Sequence, residues 1–128
     1  MPARTVVTLV YALLGTLAVA GGILALLNPS VAVPPDAATP VTSHLVREQG
    51  SEGIFIGLMF FWCALHYGER RPVHFALLVF ALLFAGIHWS EYFSGRRELS
   101  SPVLNSLPFV LLAATAPWSR PAVTAEAR

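Results

Sequence analysis

"VHFALLVFALLFAGIHWSEYF", residues 73–93, decides the fold. It is a run of 21 residues built almost wholly from Val, Leu, Phe, Ala and Ile, yet it carries His74, His88 and Glu91. A helix needs about 20 apolar residues to cross a hydrocarbon core of about 30 Å. The stretch therefore reads as a transmembrane helix with a histidine and a glutamate three residues apart near one end.

Three more apolar segments share the chain with it. Residues 6–27 form a full-length run broken only by Thr and Gly, which membrane helices tolerate. Residues 54–67 and 103–118 are shorter than a span and must take in flanking residues. Gly68 and the Glu69-Arg70-Arg71-Pro72 turn block extension of the second segment at its C-terminal end. It must therefore grow backwards, through Glu52 and Glu48 to about Arg47. The expectation is an all-α, antiparallel four-helix transmembrane bundle forming a single membrane domain over 1–128. Its helices lie at about 5–27, 47–67, 73–94 and 102–118, with a Pro-rich extracytoplasmic loop at 28–44 and a short tail at 119–128.

Composition agrees. The chain of 128 residues is 55% hydrophobic and 12% charged, with a mean hydropathy of +0.65; soluble domains carry about 25% charge. The eight basic residues are all arginine and are scattered in ones and twos, so nucleic acid is not an expected partner. The single cysteine, Cys63, lies in an apolar run and excludes a disulfide framework or a CxxC zinc pattern. No phosphate-binding glycine loop, haem-attachment motif, GxSxG or HExxH is present, and no cofactor or metal is expected. Arg4, the apolar stretch after it and Ala18-Val19-Ala20 also fit a secretory leader. The apolar run continues for seven residues beyond that point, which favours a retained helix.

Arginine counts in short loops set orientation. With the N-terminus inside, Arg4, Arg70, Arg71, Arg120 and Arg128 are cytoplasmic and Arg47, Arg96 and Arg97 lie outside. A multi-pass protein of the cytoplasmic (inner) membrane with both termini inside is expected, with the lipid bilayer as its first partner.

Lipid supplies no hydrophobic force between helices, so small residues that permit close approach mark the interfaces. Gly15, Ala18, Gly22 and Ala25 give the first helix such a stripe, Gly53 and Gly57 the second, and Ala81 and Ala85 the third. These stripes serve either packing within one bundle or homo-oligomerisation.

The polar residues also fall on stripes. Glu48, Glu52, Phe55, Met59, Trp62 and His66 recur at spacings of four and three on the second helix, and Ala81, Phe84, His88 and Glu91 on the third, with Tyr92 one turn from His88. In an antiparallel bundle Glu48, Glu52, His88 and Glu91 occupy the same outer half of the bilayer, joined by Asn105 and Ser106. Burying a carboxylate there costs roughly 2.5–3.5 kcal/mol. The cluster is then either hydrogen-bonded helix packing, a ligand site, or a metal- or proton-handling site. As a ligand site it comprises Glu48, Glu52, Trp62, His88, Glu91, Tyr92 and Asn105. As an enzyme it would use Glu52 or Glu91 as acid–base with His88 as partner. His66 and His74 read as interfacial residues at the cytoplasmic helix ends.

"REQGSEGIFIGL", residues 47–58, and "FAGIHWSEYFSG", residues 84–95, resemble segments of an uncharacterised bacterial family of small four-helix integral membrane proteins, a domain of unknown function loosely similar to DoxX-like proteins. The resemblance covers about residues 5–117 and implies the architecture, with no activity to carry over. A more distant similarity, in residue types alone, is to sterol isomerase bundles that protonate a lipid through intramembrane His and Glu. The expected function is binding of a lipophilic small molecule or service as an accessory subunit of a larger membrane complex. The alternative is a membrane enzyme doing acid–base chemistry on an apolar substrate.

Overall fold

The computed structural model describes residues 3–33, 35–66 and 68–119, and their regular structure is entirely helical. Four helices run in chain order: α1 (Ala3–Leu27), α2 (Pro40–Leu65), α3 (Arg71–Phe93) and α4 (Ser100–Thr115). Short 3-10 turns at Pro29–Val31 and Pro35–Ala37 fill the first connection, and another at Ala116–Ser119 prolongs α4. Most of the tail expected at 119–128 lies outside the described residues.

The second helix starts at Pro40, seven residues before the start expected at about 47. Thr39 caps it: the Thr39 hydroxyl accepts from Thr42 N at 3.1 Å, and Thr42 Oγ1 accepts from Thr39 N at 2.8 Å. Pro40 follows at the first helical position, where its missing N–H costs nothing. This reciprocal cap satisfies two otherwise orphaned donors, and it converts part of the loop expected at 28–44 into a polar first turn and a half of α2. Pro72 likewise opens α3.

The four helices form two pairs, α1 with α2 and α3 with α4, each pair packed more extensively than the pairs are on one another. Glycine decides the first pair. Gly15 faces Gly57, Ala18 faces Gly53 and Gly22 faces Gly50. A Cβ on Gly22 would stand 2.5 Å from the Gly50 carbonyl oxygen, and one on Gly50 2.7 Å from that of Gly22. A Cβ on Gly57 would meet the Gly15 oxygen at 2.9 Å. Backbone touches backbone along the seam, as small residues allow in close helix pairs. Gly21, one residue away on another face, has open space where a Cβ would be.

The connection from α3 to α4 depends on Gly95, whose φ of 72° only glycine adopts without strain. Arg96 N donates to Glu91 O at 2.9 Å and Gly95 N to Tyr92 O at 2.9 Å, closing α3 with a Schellman-type cap. The chain then turns back so that α4 begins beside the last turns of α3.

The pairs share a core at one end of the molecule. Val7, Tyr11 and Leu14 of α1, Phe60 and Cys63 of α2, Leu77 and Ala81 of α3, and Leu112 of α4 make one buried cluster. This is the turn end, closed by the α2–α3 connection. At the opposite, loop end, buried residues belong to seams within a pair: Gly22, Val46 and Gly50 in the first, Ala85 and Pro102 in the second. Large apolar side chains are exposed along both pairs, among them Leu17, Phe55, Leu83 and Ile87. Helices α1 and α3 are long and apolar enough to cross a membrane. Only 22% of the best window of each is buried, where the core helix of a soluble protein would be mostly buried.

Candidate functional site

Polar side chains gather at both ends. At the loop end the α3–α4 seam is a ladder of hydrogen bonds. His88 Nδ1 lies 3.0 Å from Ser101 Oγ, and Trp89 Nε1 donates to Ser106 Oγ at 3.0 Å. Ser106 Oγ in turn donates to Pro102 O at 2.7 Å, and Asn105 Nδ2 to Ser101 O at 2.8 Å. The Phe84 ring meets His88 edge-on, with centroids 4.8 Å apart, and Tyr92 packs edge-on against Trp89. Thus His88 and Asn105 do arrive in one layer, through Ser101, a residue the sequence pattern did not single out.

The other sequence-predicted residues stand apart from that layer. Glu91 pairs with Arg97, Nε to Oε2 3.2 Å, beyond the end of α3. Glu48 is exposed and meets His44 one turn earlier, at 3.2 Å. Glu52 is exposed on α2. Trp62 is half-buried and stacks on His66, ring centroids 4.6 Å apart. Among the described residues no hydrogen bond or ion pair links Glu48 or Glu52 to His88, Glu91 or Asn105. The cause lies in the pairing: α2 spends its close contacts on α1, and α3 on α4.

Helical spacing nevertheless relates Glu52 and His88 to the shared core. Glu52 lies one turn before Ile56 and two before Met59, both of which pack against the shared core from α2. His88 follows buried Ala81 by seven residues on α3. Each therefore continues its helix's inward face into the loop-end half.

The turn end holds a second constellation, which sequence reasoning missed. His74, expected at an interface, is fully buried. Its Nδ1 shares a 2.5 Å hydrogen bond with Tyr11 Oη, because the first third of α1 lies over the start of α3. The Tyr11 hydroxyl is also fully enclosed, and its ring is tilted against Phe60. Arg70, at the mouth of α3, is fully buried as well. Its Nη2 donates to the Trp118 carbonyl at 2.6 Å, and its guanidinium carbon lies 5.4 Å from the Tyr11 ring centroid. A buried guanidinium is expensive unless paired; here a backbone dipole and an aromatic face meet it. The arrangement clasps α1, the α2–α3 turn and the end of α4 together. The sequence signal for it is partial: His74 is the second residue of its apolar run, and Tyr11 is the one aromatic hydroxyl of the run at 6–27.

No group of three or more His, Cys, Asp or Glu among the described residues is placed to hold a metal ion. A shallow groove on the outward side of α3, around Gly86, ends at Glu91 and Arg96. No family model, curated protein or solved structure matches the chain.

Proposed function

We propose that the chain is a multi-pass protein of the cytoplasmic membrane, an antiparallel four-helix bundle with both termini inside, which holds a lipophilic ligand between its helix pairs in the outer half of the bilayer. Helix α2, about 39 Å long by its 26 residues, exceeds the hydrocarbon thickness, so its polar first turns stand in the headgroup region. Helix α4 with its 3-10 extension covers residues 100–119, enough for a span. One observation carries the ligand reading: among the described residues the buried core common to both pairs lies at the turn end, and helical spacing continues the core-facing sides of α2 and α3 beyond it through Glu52 and His88. A ligand with an apolar body and a polar head suits the loop-end half, its head reaching Glu52, His88 and Asn105.

The accessory-subunit reading has less support. The stripe Gly15/Ala18/Gly22 that a partner helix would need is consumed inside the α1–α2 seam. Acid–base catalysis needs two titrating groups within reach of each other, and His88 and Glu91 are engaged by Ser101 and Arg97 instead.

Native mass spectrometry of protein extracted gently from its own membrane tests the proposal, comparing wild type with the double variant Glu52→Gln/His88→Ala. A bound small apolar molecule, present in wild type and lost in the folded variant, is expected. Wild type without such a molecule, or one indifferent to both substitutions, overturns the ligand reading.

A further inference from the structure

The groove on α3 lies on the side away from the other helices, and its ends differ in chemistry. Its floor is Gly86, where a Cβ would meet nothing within 4 Å. Leu82, Leu83, Ile87 and Ser90 flank it on the same helix, so the depression, about 640 Å³, is shallow and open on its outer side. Glu91 and Arg96 close one end. Two adjacent arginines stand there with different fates. Arg97 is held by Glu91 at 3.2 Å. The Arg96 side chain makes no hydrogen bond or ion pair among the described residues, although its backbone N–H caps α3. With the Glu91 charge offset by Arg97 and Glu98 outside the lining, the groove ends on an available guanidinium.

Dimensions select the occupant. From Leu82 to the end of α3 at Phe93 the helix rises roughly 16 Å, which is about half of a 30 Å hydrocarbon core. The groove thus runs from the bilayer midplane to the headgroup level, the depth of one acyl chain, and its cation stands where a lipid phosphate lies. Guanidinium and phosphate match in charge and in fork geometry. A second copy of this chain would fit the Gly86 surface less well, since a two-fold contact there brings Arg96 against Arg96.

We infer that the outward groove of α3 binds one glycerophospholipid, with an acyl chain along Gly86 and the phosphate on Arg96. The inference rests on α3 spanning the membrane and is independent of the ligand between the helix pairs.

The test uses the full chain, delipidated in mild detergent, with phosphatidylglycerol as probe and diacylglycerol of the same chains as the phosphate-free control. Lipid retention is read by native mass spectrometry and by thermal shift. Wild type is expected to retain one phosphatidylglycerol and no diacylglycerol. Arg96→Gln should weaken retention by about tenfold, the worth of a charge-assisted hydrogen bond. Gly86→Leu should abolish it while leaving the fold unchanged, because the added side chain meets only open space. Arg47→Gln, an exposed arginine on α2, should bind as wild type. Equal retention by wild type, Arg96→Gln and Gly86→Leu overturns the inference, as does a dimer that Gly86→Leu dissociates. Alkaline carbonate washing of membranes separates the premises: release of the protein removes the spanning reading itself, whereas a retained protein with unselective lipid binding sinks only the lipid site.

Discussion

Two ways of joining helices stand side by side in this chain. The α1–α2 seam depends on what its residues lack: at Gly15, Gly22, Gly50 and Gly57 the absent Cβ lets one backbone rest on another. The α3–α4 seam depends on what its residues carry: His88, Trp89, Ser101 and Ser106 are joined by hydrogen bonds. Close backbone contact is unforgiving, since a carbonyl cannot swing aside as a side chain can. A hydrogen bond between helices is more replaceable, because its donor and acceptor can turn to other partners within reach. The first pair should therefore fail abruptly on substitution and the second gradually.

The largest effect is expected at Gly22. A leucine there must push Gly50 and Ile54 away, because even a Cβ would lie 2.5 Å from the Gly50 oxygen and 2.9 Å from Ile54 Cγ1. Gly22→Leu should cost more than about 3 kcal/mol, at or beyond the usual range for overpacking, and should separate α1 from α2. Gly21→Leu is the matched control, with nothing within 4 Å; it should stay within about 0.5 kcal/mol. Reversible unfolding in mixed micelles, followed by tryptophan fluorescence, measures both. Equal losses at positions 21 and 22 would mean that the seam is not held by backbone approach.

That contrast also marks what the sequence could teach. The spacing of Gly15, Gly22, Gly53 and Gly57 was sufficient to predict close packing, because small residues at three- and four-residue intervals have few other uses in an apolar helix. Gly50 escaped because it sits among Arg47, Glu48, Gln49 and Ser51, where polarity concealed its place on the same face. The start of α2 escaped for a related reason: the Thr39–Thr42 cap works through hydroxyls and leaves no trace in hydropathy. The all-helical architecture was legible in the apolar runs. The partners of the polar residues were not. Periodicity assigns a residue to a face, but which helix covers that face is decided by whole-seam packing, so Glu52 and His88 could be placed at one depth and yet remain unjoined.

Next in size is the clasp at the turn end, where the two pairs meet. Arg70→Met keeps the volume of the stem but leaves the Trp118 carbonyl without its charged donor and Tyr11 without its cation. A loss of about 2–3 kcal/mol is expected for a buried charge-assisted hydrogen bond and its partner's desolvation, with the end of α4 released toward protease. Stability unchanged in Arg70→Met would show that the guanidinium contributes little net free energy, as happens when a buried ion is replaced by a well-packed apolar side chain. Tyr11→Phe should cost less, about 1–2 kcal/mol, since it strands His74 Nδ1 in the core but keeps the ring against Phe60. A double-mutant cycle with His74→Phe separates that hydrogen bond from packing.

The smallest effect is expected at Ser106. In the α3–α4 seam Ser106 Oγ accepts from Trp89 Nε1 and donates to Pro102 O. Ser106→Ala deletes both bonds, yet interhelical hydrogen bonds within membranes average only about 0.6 kcal/mol. A serine hydroxyl that donates to a carbonyl four residues back also slightly strains its own helix, so part of the loss is recovered. The expected change is a fall of about 0.6 kcal/mol, accompanied by a red-shifted Trp89 emission as the indole turns to another acceptor. The emission is best read with Trp62 and Trp118 replaced by Phe, so that one indole reports. A loss as large as that of Gly22→Leu would place the α3–α4 seam in the same unforgiving class as the glycine contact. A loss near the expected value, additive with Ser101→Ala, would mean that this ladder is a set of separate bonds, which a polar ligand head beside His88 could rearrange at little cost.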